Sequence, residues 1–285
     1  MIRLGTRGSA LALAQAGQVA SSIGADVELV EIATSGDRGR GEDKGRFVKE
    51  IEEALLRGDI DLAVHSAKDV PGELPGGLAI AGVPERADPR DALCGAESIA
   101  NLAEGAVVGT SSLRRRSQLL ALRPDLDVRD VRGNVDTRLG KLAAGEYGAL
   151  VLARAGLLRL GRSEGEPIGE AEMTPAPGQG CLALEVRADD DETRRVAEQL
   201  THHESLVELT AERAVVTALE ATCHTPVGAR ARLEAERLTL DAYAGLPDGS
   251  TWVRDTLEGD ASDPAGLGHA VAERMLAAGA RELLN

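Results

Sequence analysis

The sequence has few lysines and a large deficit of positive charge. Asp and Glu number 47 against 32 basic residues, and the net charge is -15 with a pI of about 4.9. Only four of the basic residues are lysine: Lys44, Lys49, Lys68 and Lys141. So acidic a chain is not a general nucleic-acid or membrane binder, because both of those surfaces are negative. Excess acid with scarce lysine is typical of surfaces adapted to high salt. At molar salt the Debye length is roughly 3 Å, so local arginines could still hold an anion.

Cysteine pairs and long apolar runs are also missing. Cys94, Cys181 and Cys223 lie far apart and form no CxxC motif, so we expect no structural disulfide. No apolar run reaches the roughly 20 residues of a membrane span, and residues 1–15 contain no long apolar core. We therefore predict a soluble, cytoplasmic protein. The 285 residues are enough for two or three domains.

A polar cluster follows a short apolar run in the first third of the chain. Residues 60–64 predict a buried strand, and the segment between it and Pro71 contains His65, Ser66, Lys68 and Asp69. Ligands of α/β sheets bind at the carboxyl ends of strands, where an acid beside a base can transfer protons. The alternative is that Lys68 and Asp69 form a solvated loop pair. We expect His65 to be packed and hydrogen-bonded rather than to act as a base.

Arginine recurs where predicted strands turn into helices. Residues 2–15 contain such a turn with Arg7 and a candidate N-cap, Ser9. Residues 107–122 and 128–139 contain two more, with arginines at Arg114, Arg115, Arg116, Arg132 and Arg138. Cations in the first turn of a helix cost roughly 0.3–1 kcal/mol each, so their presence indicates an anion bound at that end. The alternative is that these side chains extend into solvent or pair with a nearby Asp.

Proline and glycine mark the predicted boundaries. Residues 85–91 and 174–180 indicate two crossings between domains. The glycine-rich loop 34–45 is either a plain connector or an active-site lid. A helix over 204–220 leads to a loop with Cys223, followed by a strand pair over 233–257 that turns at 247–250, and by a helix over 265–278. This pattern predicts a small α+β domain.

Other chemistries fit the sequence poorly. His202, His203 and His224 do not have the spacing of metal ligands, so we predict no metal site. Cys223 and His224 are adjacent in sequence and lack an orienting partner, which argues against a nucleophilic hydrolase. We expect Cys181 to be a small buried apolar residue.

These motifs together resemble the porphobilinogen deaminase family, also called hydroxymethylbilane synthase. HSAKDVP, VGTSSLRRR, VRGNVDTRL, PGQG, TAERA and the cysteine loop occur in the family's order, and the resemblance covers essentially the whole chain. It implies an α/β fold with two periplasmic-binding-protein-like domains and a third small α+β domain. The implied bounds are 1–86 with 181–200 for domain 1, 90–175 for domain 2, and 203–285 for domain 3.

The resemblance also implies a reaction. Four porphobilinogen units, each losing ammonia, are added to a covalent dipyrromethane cofactor, and hydrolysis releases hydroxymethylbilane. The implied substrate is porphobilinogen, and the implied state is a monomer. The competing interpretation is a non-catalytic two-lobed binding protein for an anionic solute.

Site residues follow from the same resemblance, position by position. Cys223 matches the thioether attachment residue, and Asp69 matches the catalytic acid/base. The matched cofactor contacts are Lys68, Thr110, Ser111, Ser112, Arg114, Arg115, Arg138 and Gln179. The matched substrate contacts are Arg7, Ser9, Arg132 and Arg159. Two features depart from the family pattern: ATCHTP replaces a frequent glycine pair before the cysteine, and the loop 35–44 is shorter than in many relatives.

Overall fold

The structure is a computed structural model that describes residues 1–24, 26–34, 48–222 and 225–284. Cys223, His224 and the predicted lid beyond Thr34 lie outside the described residues. The chain divides into two compact units. Unit 1 comprises Met1–Ala87 and Cys181–Leu209, and unit 2 comprises Asp88–Gly180 and Thr210–Asn285. The finer division into three domains stays a prediction.

Strands and helices alternate through most of the described chain. The strands are β1 (Ile2–Thr6), β2 (Val27–Glu31), β3 (Leu62–Ser66), β4 (Leu78–Gly82), β5 (Asp91–Cys94), β6 (Val107–Gly109), β7 (Asp127–Arg129), β8 (Ala149–Ala153), β9 (Glu166–Pro167), β10 (Leu182–Arg187), β11 (Val227–Glu234), β12 (Arg237–Gly245) and β13 (Trp252–Asp260). The helices are α1 (Ala10–Ile23), α2 (Lys49–Arg57), α3 (Leu113–Leu122), α4 (Val135–Ala143), α5 (Arg154–Arg159), α6 (Asp191–Gln199), α7 (His203–Ala218), α8 (Pro264–Ala277) and α9 (Ala280–Leu283).

The sheet of unit 1 has the order β2-β1-β3-β10-β4. β1 runs parallel to both of its neighbours, whereas β10 runs antiparallel to β3 and β4. Its core contains Leu4, Leu62, Leu184 and Val186, all buried, with Val19 of α1 packed in the same cluster. The apolar runs that predicted buried strands therefore do form the centre of this sheet.

The larger sheet of unit 2 repeats that order, as β7-β6-β8-β5-β9. β6 is parallel to β7 and β8, and β5 is antiparallel to β8 and β9. In each sheet three parallel strands lie side by side with the earliest of the three in the middle, and an antiparallel strand and then an edge strand follow them. This repeat confirms the predicted α/β class with two similar halves.

A second sheet in unit 2 is antiparallel, in the order β11-β12-β13, with α8 packed against β12 and β13. The predicted strand pair corresponds to β12 and β13, but β11 was missed. Arg230 and Arg232 interrupt the apolar pattern of β11, and both are paired with Glu170, a partner 60 or more residues away in sequence. Such long-range pairing is not visible in local periodicity.

The predicted strand over 60–64 is displaced in the structure. β3 ends at Ser66, because His65 and Ser66 continue the ladder opposite Ala183 and Leu182 of β10. Cys181, which immediately precedes β10, is 1% exposed, as predicted. None of the helices in the described ranges has the length and apolar character needed to cross a bilayer.

Candidate active site

In unit 1, the predicted acid lies immediately after the central strand. β3 leads into a single 3-10 turn, Ala67–Asp69, in which Lys68 and Asp69 are half-buried. Ser66, the last residue of β3, accepts a hydrogen bond at 2.9 Å from Nε2 of Gln15 on α1. Asp69 is therefore carried on a short turn at the carboxyl end of a buried strand, as the sequence predicted.

A buried group of ionisable side chains lies along the same strand. His65 is 5% exposed, and its Nε2 lies 3.0 Å from Oε2 of the fully buried Glu185. Burial and the neighbouring Glu185 raise the pKa of Glu52 on α2, although His65 opposes the shift. The prediction of a packed, hydrogen-bonded His65 is confirmed. The sequence did not predict the buried contacts of Glu52 and Glu185, because it shows that an acid lies within an apolar run but not which buried side chain lies next to it.

The first arginine turn is also in unit 1. Ser9 caps α1, and its side chain accepts a hydrogen bond from Ala12 N at 3.3 Å. The predicted N-cap is thus confirmed, and the half-buried Arg7 precedes it by two residues.

The second arginine turn, in unit 2, is built from three hydroxyl residues between β6 and α3. Ser112 is the N-cap of α3 and accepts a hydrogen bond from Arg115 N at 3.5 Å. Ser111 donates from Oγ to Val131 O at 2.6 Å, and Thr110 is buried. The cap and the tie to Val131 fix the backbone that presents the arginines.

Arg114 and Arg115 both point inward and share one carboxylate. They are 4% and 7% exposed, and Asp91 at the start of β5 is completely buried. Arg114 Nη2 lies 2.8 Å from Asp91 Oδ2, and Arg115 Nε donates to Asp91 Oδ1 at 2.9 Å. The alternative weighed for these arginines, pairing with a nearby Asp, is therefore confirmed for this pair. This pairing leaves one net positive charge on the cluster, because two cations share a single anion.

Burial and ion pairing act in opposite directions on this cluster. Burial alone would raise the pKa of Asp91, but Arg114, Arg115 and the Gln179 hydrogen bond hold it at about 2. Burial lowers the pKa of Arg114, and Asp91 only partly compensates. Arg114 Nη1 donates to Thr174 O at 2.6 Å, while its buried Nε has no acceptor among the described residues. A site with excess positive charge and an unused donor suits an anionic ligand.

The other predicted contacts of unit 2 occupy different environments. Arg138 donates from Nε to Gly133 O at 2.8 Å, and burial together with the charge of Arg115 lowers its pKa. Arg159 donates to Gly180 O at 2.8 Å, and Arg132 is exposed. Gln179 is fully buried, and its amide nitrogen donates to Pro89 O and Asp91 Oδ1 at 2.7 and 2.9 Å.

The predicted site residues are thus divided between the two units. Arg7, Ser9, Lys68 and Asp69 belong to unit 1, and the remaining described ones belong to unit 2. Within the described part of the chain no group of three His, Cys, Asp or Glu side chains could hold a metal ion. His202 contacts Ser205 Oγ through Nδ1 at 3.0 Å.

Comparison with known proteins decides the family. The sequence model described as porphobilinogen deaminase, dipyromethane cofactor binding domain matches residues 2–195, and that of the C-terminal domain matches residues 206–277. The chain belongs to the porphobilinogen deaminase family. The porphobilinogen deaminase of Thermus thermophilus is 48% identical over 100% of this chain and 98% of its own length, and that of Deinococcus radiodurans is 46% identical over 99% and 97%.

Membership of the porphobilinogen deaminase family supports the enzyme over the competing binding protein. A nutrient-binding protein from Burkholderia cenocepacia bound to methionine is 14% identical with a TM-score of 0.45, over 70% of this chain and 92% of that one, a likeness too distant to indicate function. The cofactor of the family is dipyrromethane. The unused buried Nε of Arg114 and the surplus guanidinium charge fit a group that carries carboxylates.

Proposed function

We propose that this chain is a hydroxymethylbilane synthase of tetrapyrrole biosynthesis. It adds four porphobilinogen units, with loss of ammonia, to a covalently bound dipyrromethane cofactor, and it releases hydroxymethylbilane by hydrolysis. The observation that carries the proposal is the buried pair Arg114 and Arg115, whose two positive charges share the single carboxylate of Asp91 among the described residues. Each pyrrole ring of substrate and cofactor carries carboxylates, which guanidinium groups bind by paired hydrogen bonds.

We assign the binding roles as follows. Arg114, Arg115 and Arg138, with Lys68 and the hydroxyls of Thr110, Ser111 and Ser112, hold the cofactor's carboxylates, and Gln179 supports them. Arg7, Ser9, Arg132 and Arg159 bind incoming substrate. When bound, the dipyrromethane supplies the pyrrole carbon at which the first unit is joined. Cys223 is the proposed thioether attachment point, by its match to the family motif.

Asp69 is the proposed acid/base. Loss of ammonia from an aminomethylpyrrole needs a proton on the leaving nitrogen, and positive charge then develops on the pyrrole. A carboxylic acid fixed on a short turn can deliver that proton, and the carboxylate that remains can stabilise the positive charge that follows. Lys68, the preceding residue, is a compact cation that suits a carboxylate of the cofactor.

We further propose a division into three domains. Domain 1 (1–86 with 181–200) contains the aspartate, domain 2 (90–175) contains most of the arginines assigned above, and domain 3 (203–285) contains the cysteine. We also propose a cytoplasmic monomer. The family match and the repeated sheet order support the division into two α/β halves.

Intact mass tests the cofactor assignment. The purified chain is expected to exceed its sequence mass by one dipyrromethane, and Cys223→Ser should remove this excess. Cys181→Ser is the matched control, because Cys181 is a buried cysteine and its loss should leave the excess in place. An unmodified wild-type mass would favour the binding protein instead.

A second arm tests Asp69. Asp69→Asn should retain the mass excess and lose turnover by about 10²–10⁴-fold, the usual contribution of a general acid/base. Glu73→Gln, an exposed carboxylate four residues later, should turn over at the wild-type rate. Turnover by Asp69→Asn within a factor of three of wild type would refute the assigned role.

A further inference from the structure

The strongest polar cluster that no role above explains is centred on Asp91. Gln179, from the second predicted crossing, donates to Pro89 O and to Asp91 Oδ1, both from the first crossing. The two crossing segments are therefore tied to each other where they enter and leave unit 2. Asp91 and Gln179 are both completely buried, so neither makes these bonds in competition with water.

We infer that Asp91 is the positioning residue of the arginine pair and that Gln179 acts through Asp91 and through Arg115, whose Nη2 donates to Gln179 Oε1 at 3.5 Å, rather than on the ligand. This inference rests on the proposed function. Asp91 gives a different oxygen to each arginine, Oδ2 to Arg114 and Oδ1 to Arg115. One carboxylate thereby fixes the separation of two guanidinium groups before any ligand arrives, which lowers the cost of binding.

Asp91 also sets the charge of the pair. Two adjacent buried cations repel each other and lose their hydration, and a single anion between them reduces the net charge to one. Main-chain acceptors use further donors, since Arg115 Nη1 bonds to Val151 O at 2.9 Å and Arg114 Nη1 bonds to Thr174 O. These main-chain bonds fix the orientation of both guanidinium groups, so the surplus positive charge keeps its position.

Glu212 fixes the turn that carries Gln179. Glu212 is fully buried, and its Oε2 accepts a hydrogen bond from Gly178 N at 2.6 Å. Its Oε1 accepts another from Ala231 N on β11 at 2.9 Å. Order is thus transmitted from Glu212 through the turn to Gln179, then to Asp91 and to the two arginines.

Moving the carboxylate tests this arrangement. In Asp91→Asn the pair loses its anion, and in Gln179→Glu it gains a second one next to the first. The double variant Asp91→Asn/Gln179→Glu exchanges amide and carboxylate between two side chains that are in hydrogen-bond contact. It restores one negative charge beside the arginines, so it should recover what both single variants lose.

The measurements are KM and kcat for porphobilinogen, and the number of units on the chain by intact mass. Because every unit is joined to the cofactor that the arginine pair holds, each single variant is expected to lower kcat/KM at least tenfold, and the double variant should lie within about threefold of wild type. A purely structural role predicts that the two losses multiply, and a double variant as weak as their product would overturn the inference. Asp88→Asn is the control, because Asp88 lies in the same crossing segment as Asp91 but is paired with Arg90 and Arg154; it should leave kcat/KM unchanged.

If Asp91→Asn does not fold, Gln179→Glu is compared with Gln179→Met, which has similar length and no charge. Gln179→Glu must then lower kcat/KM at least fivefold more than Gln179→Met, and equal effects would overturn the inference. Failure of the proposed function is distinguishable, because the wild-type chain would then carry no mass excess and add no units.

Discussion

Burial decides which charges of this protein remain available to a ligand. Asp91 stays ionised in a fully buried position because two guanidinium groups surround it, and this same contact commits part of their binding capacity. The sequence indicated a role for the arginines and left open whether they bind an anion, extend into solvent or pair with a nearby Asp. It did not predict Asp91, because a single acid at the start of the apolar run Ala92–Cys94 does not reveal that two arginines more than 20 residues later will reach it.

The buried acids of unit 1 give a pH prediction at the same scale. Burial first, and then Glu185, raise the pKa of Glu52. In the unfolded chain the carboxyl has its ordinary pKa of about 4.3. Between these two values the folded chain holds more protons than the unfolded chain, so the free energy of unfolding falls as pH rises through that window and stays reduced above it.

Glu52→Gln removes this titration. We expect the variant to resist urea better than wild type at pH 7.5, with a gain that shrinks as the pH approaches 4. Glu53→Gln is the control, since Glu53 is half-exposed on the same helix. Urea midpoints between pH 4 and 8 measure the effect, and a gain that is constant across that range would contradict the assignment.

At the scale of elements, the sequence predicted most strand-to-helix turns and little of what pairs across them. Local signals were sufficient for the cap at Ser9, because a cap depends on residues within one turn. β11 and the true end of β3 depend on partners far away in sequence, Glu170 and β10. The arginine pair was predictable in kind, but the carboxylate that it shares was not.

The turn between β12 and β13 gives a packing prediction. Gly249 has φ 71°, and a Cβ there would lie 2.4 Å from Ala121 N and 2.6 Å from Leu120 C, both in the backbone of α3. Gly105 has nearly the same φ, 69°, and a Cβ there would meet nothing within 4 Å. The two glycines therefore share the conformational requirement and differ in space.

Gly105→Ala should lower the free energy of unfolding by about 1 kcal/mol, from the left-handed backbone alone. Gly249→Ala should lower it by roughly 1–3 kcal/mol more, because helix backbone cannot move aside as a side chain can. Both residues are in unit 2, so one chemical denaturation experiment reports both. Equal losses would show that the turn is not held against α3.

At the scale of the whole molecule, the net charge of -15 is the dominant property. The excess acidic groups repel one another, and salt screens this repulsion, since the Debye length falls from about 10 Å at 0.1 M to about 3 Å at 1 M. The melting temperature should therefore rise with KCl, most steeply at low concentration. A salt-adapted surface remains a prediction until that is measured.

Potassium sulfate at matched ionic strength is the control. Screening depends on ionic strength, whereas sulfate also stabilises proteins by exclusion from their surface. A rise in both salts supports screening of the acidic surface. A rise in sulfate alone, with no change in KCl, would contradict it.

The antiparallel strand in each sheet has a consequence for synthesis on the ribosome. In unit 1, β4 is hydrogen-bonded to β10 and lies beyond it in the sheet order, so it has no neighbour there until Leu182–Arg187 has been translated. In unit 2, β5 precedes the strands it joins, and every strand of that sheet lies within Asp91–Pro167. The five-stranded sheet of unit 2 therefore has all its strands translated before that of unit 1 does. Until then the sheet of unit 1 has an open edge, because β10 is translated about 100 residues after β4.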